Sequence, residues 1–128
     1  MSGTSTMEAD VAVFIITFAH PDHERWVKYQ PAHLDWLQSE LEEGTLLAAG
    51  GMDPGRTGCI IATAADEQAA RRWVVHDPYV ARGVSDEISI TVWDPIFGTW
   101  QMESSCAGLS YNDLRREILK RTRTATTD

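Results

Sequence analysis

The sequence predicts an α+β fold, because four segments with strand-like composition are interrupted by two segments with a helical apolar period. A helical period over Arg25–Glu43 predicts the first helix, and Asp66 is typical of the residue that caps the start of a second. The segments rich in β-branched, small and aromatic residues predict strands at Val11–Phe18, Thr45–Gly50, Thr57–Ala64 and Val84–Trp93. The resulting order, β-α-β-β-α-β, is that of the ferredoxin-like split sandwich, with both helices on one face of an antiparallel sheet.

The first predicted helix contains a proline, Pro31, which affects where the regular helix begins. The residue before a proline resists the α conformation, and proline is best tolerated in the first turn of a helix. We therefore expect the regular helix to begin near Pro31, with a separate turn or a kink across Arg25–Gln30. His33 would then be the third helical residue, where the positive end of the helix dipole favours a neutral imidazole ring.

Length and composition favour a single domain that does not bind nucleic acid. The chain has 128 residues, of which 43% are hydrophobic, and a net charge of −8 that would repel phosphates. No apolar run approaches the ~18 residues of a membrane span, and the first ten residues lack the features of a signal peptide. We expect a cytoplasmic protein with a disordered tail at 1–10, a core domain at 11–98 and an extension at 99–128. In that extension Ser110 and Asp113 resemble a capping box, which predicts an extra helix over Ser110–Thr122.

No cofactor or metal is expected from the sequence. Cys59 and Cys106 match no zinc or redox spacing, so both are predicted to be free thiols. His20, His23 and His76 raise the possibility of a metal site, but zinc needs three or four converging ligands and their spacing does not supply them. The chain also contains no recognisable phosphate-binding glycine loop and no nucleophile motif.

His33 and Asp77 are the candidate catalytic residues. Imidazole titrates near neutral pH and a carboxylate can orient it, so this pair is the simplest arrangement of side chains for proton transfer. The two are far apart in the sequence, and only the fold can pair them. The alternatives are that His33 is an ordinary residue of the helix core and that Asp77 only fixes the turn at Asp77-Pro78.

Three aromatic residues are the candidates for binding a substrate. Tyr79 either donates a hydrogen bond to the ligand or fills a gap in the packing. The tryptophans are more typical of a core or an interface, and Trp36 and Trp93 are preferred if one of them lines the pocket.

The motifs around these residues resemble the YCII-related (YciI-like) family. The resemblance extends from about Val11 to Trp93 and rests on these segments: Pro31-Ala32-His33-Leu34, Glu43-Gly44-Thr45-Leu46-Leu47, Ala49-Gly50, Asp77-Pro78-Tyr79-Val80 and Gly83-Val84. It implies a dimeric α+β barrel related in shape to muconolactone isomerases, with an active site on His33 and Asp77. Some members of the family resemble small-molecule lyases, including a dehydrochlorinase of chlorinated aromatic breakdown, and others belong to natural-product pathways.

The chain departs from the family pattern at three places. Gln30 stands where the family often has arginine, which removes a cation that would hold an acidic substrate. Gly50-Gly51 stands where the family has Gly-Pro, and the segment after Trp93 is not part of the core family.

The His-Asp pair and the family resemblance together imply a cofactor-independent lyase or isomerase that acts on a small cyclic or aromatic metabolite. Elimination, isomerisation and cyclisation share the same proton abstraction, so the reaction stays open. The alternative is a non-catalytic protein that binds a small ligand. In both cases the apolar sheet face that the helices leave bare predicts a homodimer.

Overall fold

A computed structural model describes residues 11–127, apart from the side chains of Pro54 and of residues 125–127. The predicted tail at 1–10 lies outside the described residues. In chain order the elements are β1 (Ala12–Ala19), α1 (His23–Glu43), β2 (Leu46–Met52), α2 (Asp53–Arg56), β3 (Thr57–Ala64), α3 (Glu67–Val74), α4 (Pro78–Ala81), β4 (Asp86–Trp93), a 3₁₀ turn (Gln101–Glu103) and α5 (Tyr111–Thr127).

The four strands form one antiparallel sheet in the order β2-β3-β1-β4. The predicted α+β class, with four antiparallel strands and accompanying helices, is confirmed. Ile16 on β1 lies opposite Ile60 on β3 and Ile90 on β4, so one face of the sheet carries a row of large apolar side chains. This face packs against Val74 of α3 and Leu37 of α1 to form the core.

The expectation that the first helix begins near Pro31 is wrong. Helix α1 is continuous from His23, with Asp22 as its cap: the Asp22 carboxylate accepts a hydrogen bond from the Arg25 amide. The preference of the residue before a proline is a bias of the local chain, and contacts made elsewhere in the fold override it. One such contact is the Arg25 guanidinium, which donates to the backbone carbonyls of Arg82 and Gly83 beyond α4.

The second predicted helix begins as expected, because the Asp66 carboxylate accepts a hydrogen bond from the Ala69 amide. That helix ends at Val74, and Pro78 opens the separate short helix α4 after Asp77. The strand predicted to end at Gly50 extends further: β2 continues through Met52, and the following residues form the single turn α2.

Residues 94–127 form a second compact unit. The Ser110 hydroxyl accepts a hydrogen bond from the Asp113 amide, as the capping box predicts, and α5 continues to Thr127, beyond the predicted end at Thr122. Cys106 and Leu114 are buried in the structure. The predicted assignment of residues 94–98 to the first domain stays a prediction. Within residues 11–127, no helix is long and apolar enough to cross a membrane.

The close approach of Gly58 on β3 to the buried Phe18 ring gives a prediction about stability. A Cβ added at Gly58 would overlap that ring, so Gly58→Ala should destabilise the fold by about 1–3 kcal/mol, the usual cost of overpacking a core. Gly51, directly opposite on β2, is the matched control, because a Cβ there meets nothing within 4 Å. Gly51→Ala should change the free energy of unfolding by about 0.5 kcal/mol or less. Urea denaturation of both variants measures the difference, and equal stabilities would contradict this account of the packing.

Candidate active site

The structure brings His33 and Asp77 together. His33 Nδ1 lies 2.7 Å from Asp77 Oδ1, and the Asp77 side chain is fully buried while that of His33 is 12% exposed. An ionised carboxylate can only accept, so the hydrogen of the ring lies on Nδ1 and the lone pair lies on Nε2. Among the described residues, Nε2 of His33 has no hydrogen-bond partner. The ring is therefore arranged as a proton acceptor.

Asp77 is held by the start of α4. Its Oδ1 also accepts a hydrogen bond from the Tyr79 amide at 3.0 Å, and Pro78, the first residue of α4, has no amide hydrogen to satisfy. The Asp77 carboxylate thus both stabilises the turn and pairs with His33. The second oxygen, Oδ2, is buried and has no hydrogen-bond partner in the described part of the chain.

The dipole argument for His33 does not apply. His33 lies well inside α1, which begins at His23, and the field of a helix end acts within the first turn. The orientation of the ring comes from Asp77 instead.

Tyr79 stacks on the His33 ring, with centroids 3.9 Å apart and planes 11° from parallel. Burial and the nearby charge of Asp77 raise the pKa of Tyr79 to about 12, while a hydrogen bond from the Gln30 side chain acts in the opposite direction. Tyr79 therefore stays a neutral phenol near pH 7. Gln30, which replaces the family's arginine, thus contributes to the same site.

His20 is a component of the site that the sequence analysis did not identify. The sequence suggests it only as a possible metal ligand, but it is 8% exposed and its ring centroid lies 5.1 Å from that of Tyr79. Burial, and then the charge of His33, lower the pKa of His20. A signal was present in the sequence: Ile16, Phe18 and His20 alternate along β1, so the inward-facing series continues one step past the end of the strand.

The rings of His20, His33 and Tyr79 border a pocket of about 190 Å³. Its polar groups include the side chains of His20, Gln30, His33 and Tyr79. An apolar part of the wall is formed by Trp26 and Leu34 of α1. The opposite wall comes from β2, β3 and the turn between them, and it is rich in glycine: Gly50, Gly51, Gly55 and Gly58. Cys59 also lines the pocket, and burial raises the pKa of its thiol, which opposes a nucleophilic thiolate.

Trp36 and Trp93 do not line this pocket, which is a correction to their expected placement. Trp36 packs on the core with its ring 4.8 Å from that of Trp73, because its position on α1 faces α3. Trp93 ends β4, opposite Val13. Of the three predicted binding residues, Tyr79 alone contributes to the pocket wall.

The described residues contain no group of three or more His, Cys, Asp or Glu side chains that is arranged to hold a metal ion. His20 makes its side-chain hydrogen bond with the Ser85 hydroxyl. Cys59 and Cys106 are both free thiols.

A model of the YCII-related domain matches residues 11–94, which contain every residue of this pocket. The chain belongs to the YCII-related family. Relatives include Protein YciI of Escherichia coli O6:H1 and Protein YciI of Shigella flexneri, each 38% identical over 84 residues. Those alignments cover 58% of this chain and 86% of each relative.

A solved structure supports the fold. It is the 5-chloro-2-hydroxyhydroquinone dehydrochlorinase of Burkholderia phenoliruptrix AC1100, in complex with 2,5-dihydroxybenzoquinone, and it aligns with a TM-score of 0.55. The alignment covers 64% of this chain and 93% of the dehydrochlorinase, at 17% identity. At that identity the likeness concerns the arrangement of the elements.

The raised pKa of Tyr79 predicts a loss of stability at high pH. The folded protein holds the phenol proton up to about pH 12, whereas an unperturbed tyrosine releases it near 10.0. The stability from this difference is fully present below pH 10.0 and is lost as the pH rises through 12. Tyr79→Phe should remove the part of the alkaline loss of stability that is due to this phenol. The variant should also lack the tyrosinate absorbance change near pH 12. Urea midpoints at several alkaline pH values, together with ultraviolet titration, measure both. Identical pH profiles for the two proteins would contradict the prediction.

Proposed function

We propose that this protein is a cofactor-independent lyase or isomerase of the cytoplasm, acting on a small cyclic or aromatic metabolite. The proposed chemistry is proton abstraction, followed by elimination, isomerisation or cyclisation. Aromatic breakdown and natural-product biosynthesis are the settings in which such steps occur. The observation that carries the proposal is the 2.7 Å hydrogen bond from His33 to the buried Asp77, made at the wall of a pocket.

In the proposed reaction, Nε2 of His33 takes a proton from the bound substrate. The imidazolium that forms is stabilised by the negative charge of Asp77, which interacts strongly because both groups lie away from bulk water. Asp77 also holds the ring in the tautomer that leaves Nε2 free to accept. The imidazolium then returns the proton to another atom of the substrate, or loses it to solvent after a leaving group has departed.

The size of the pocket supports a substrate with one ring. An apolar cavity of about 150 Å³ holds a benzene molecule, and the pocket here is about 190 Å³. The structurally similar dehydrochlorinase was solved with a single-ring compound, which is consistent with a substrate of this size. Tyr79, as a neutral phenol, is proposed to bind the substrate from the wall of the pocket.

The proposed role of His33 is tested by replacing it. His33→Ala should lower turnover by ~10²–10⁴, the usual contribution of a positioned base. His23→Ala is the control, because His23 is an exposed histidine of the same helix and does not line the pocket. Single-ring carbonyl and hydroxylated compounds are incubated in D₂O, and mass spectrometry detects deuterium uptake or loss of a substituent. Asp77→Asn should be less damaging than His33→Ala if Asp77 acts only by orienting the ring.

Two outcomes of this experiment would contradict the proposal. If His33→Ala converts a substrate at the normal rate, His33 is not the base. If compounds bind and shift the His33 resonances, yet none exchanges a proton or loses a substituent, the protein is the non-catalytic ligand-binding alternative.

We also propose that the protein is a homodimer whose sheets face each other as a dimeric α+β barrel. Ile61 lies between the core residues Ile60 and Ala62, so its side chain points to the opposite face of the sheet, where it stays partly exposed. Cys59 and Ile15 lie on the same face and are also partly exposed. Burying this apolar surface in a second copy is the proposed driving force.

Light scattering should therefore give twice the monomer mass of 14.3 kDa. Ile61→Lys should shift the protein to the monomer, because a buried, unpaired charge at a facing sheet is costly. Val75→Lys is the control, since Val75 is an exposed apolar residue that follows α3. A wild-type protein that is monomeric at micromolar concentration would contradict the prediction.

A further inference from the structure

The pocket contains a second imidazole, that of His20. We propose that His20 is a second catalytic residue, which donates a hydrogen bond from Nε2–H to the substrate oxygen that becomes negative when His33 removes the proton. This inference rests on the proposed function and narrows it to enolisable carbonyl compounds, in which the loss of a proton from carbon places negative charge on oxygen.

The backbone fixes His20 beside the first imidazole. His20 directly follows β1, and its amide bonds to the Arg56 carbonyl just before β3, so the residue is held as an extension of the sheet. Its ring lines the same pocket as His33. Tyr79 contacts both rings, stacking on His33 and meeting His20 at its edge.

Ser85 determines which nitrogen of His20 carries the hydrogen. The Ser85 amide bonds to the Tyr79 carbonyl at 2.9 Å, and its hydroxyl lies 3.2 Å from His20 Nδ1. Ser85 is 6% exposed, and its hydroxyl proton has no other acceptor among the described residues. A buried hydroxyl donates where an acceptor is available, so Ser85 donates to Nδ1 and the hydrogen of the neutral ring is on Nε2.

The two imidazoles therefore have opposite hydrogen-bonding roles. The Nδ1 of His33 donates to a carboxylate, which leaves Nε2 as an acceptor. The Nδ1 of His20 accepts from a hydroxyl, which leaves Nε2–H as a donor. A base combined with a neutral imidazole donor is suited to enolisation, because charge develops on oxygen as the carbon loses its proton.

The surroundings of His20 keep its ring neutral. Burial and the charge of His33 lower its pKa, against smaller effects of Asp77 and Asp86 in the opposite direction. Tyr79, whose ring meets that of His20, stays uncharged near pH 7. His20 thus donates a hydrogen bond without giving up its proton to the reaction.

The step balances without an added oxidant or reductant. The proton next to the carbonyl moves to His33 Nε2, the C–H electron pair forms a carbon–carbon double bond, and the carbonyl π pair moves to oxygen. That enolate oxygen accepts the hydrogen bond from His20. The electrons then flow back, either to expel a β-substituent as an anion or to take the proton from His33 at a different carbon.

The first experiment measures the tautomers and needs no substrate. Nitrogen-15 NMR of histidine-labelled protein near pH 7.5 reports which ring nitrogen bears hydrogen, and single His→Gln variants assign the signals. His20 should carry its hydrogen on Nε2, and His33 should carry its hydrogen on Nδ1. Ser85→Ala should weaken the preference at His20 and leave His33 unchanged. A hydrogen on Nδ1 of His20, or a charged His20 ring, would overturn the proposal.

The second experiment uses 4-nitrophenolate, an oxyanion on a single ring, as the probe for the pocket. His20→Leu removes the donor and should weaken binding by roughly tenfold to a hundredfold, the range expected for a hydrogen bond to a charged group. His20→Gln keeps an N–H donor and should recover most of the affinity. His23→Leu is the matched control, which should bind the probe as the wild type does, and melting temperatures show whether each variant is folded.

Equal affinity of folded His20→Leu and wild type, or no binding of the phenolate to the wild type, would overturn this inference. The experiments distinguish a failure of this inference from a failure of the proposed function. If His33→Ala abolishes deuterium uptake while His20→Leu binds the probe normally, only the proposed role of His20 is wrong. If the tautomers and the probe affinities are as expected but His33→Ala leaves turnover intact, the oxyanion site stands and the proposed base is wrong.

Discussion

The site depends on one buried carboxylate, that of Asp77. Moving an ionised group out of water is costly unless hydrogen bonds compensate, and Oδ1 receives two of them, from the His33 ring and from the Tyr79 amide. These donors come from different elements, since His33 belongs to α1 and Tyr79 to α4. Satisfying the carboxylate therefore fixes the position of the helix against the turn. The bonds from Arg25 to the backbone beyond α4 add to the same connection.

The sequence predicted the central strands well because their environment leaves little choice. β3 was predicted at Thr57–Ala64 and is observed there, and β1 differs by one residue at each end. Both lie inside the sheet, where β-branched and apolar residues are required on the buried face. The start of α1 was not predictable in this way. The rule about Pro31 concerns the local chain, and the Arg25 contacts that favour a helix on both sides of the proline join residues distant in the sequence.

The pairing of His33 with Asp77 was implied by the family that their two motifs resemble, whereas the rest of the pocket required the fold. His20 was considered only as a possible metal ligand, because Pro21 and Asp22 indicate a loop, where histidines are usually solvated. Its amide bond to Arg56 holds it in line with β1, where it continues the inward-facing series of Ile16 and Phe18. Trp36 and Trp93 were preferred on residue type alone. Helical and strand geometry turn both away from the cavity, and only the register of each element shows this.

The proton-transfer groups and the glycine-rich wall of this pocket come from separate parts of the chain. The carboxylate and the stacked phenol ring lie within the turn from Asp77 to Tyr79, whereas the opposite wall is largely glycine. A Cβ at Gly50 or Gly51 would meet no neighbouring atom, so side chains can be introduced there without displacing the proton-transfer groups. Natural selection can thus reshape the cavity for new molecules while the underlying chemistry is inherited unchanged. A family built on this plan can diversify in what it recognises more readily than in how it reacts.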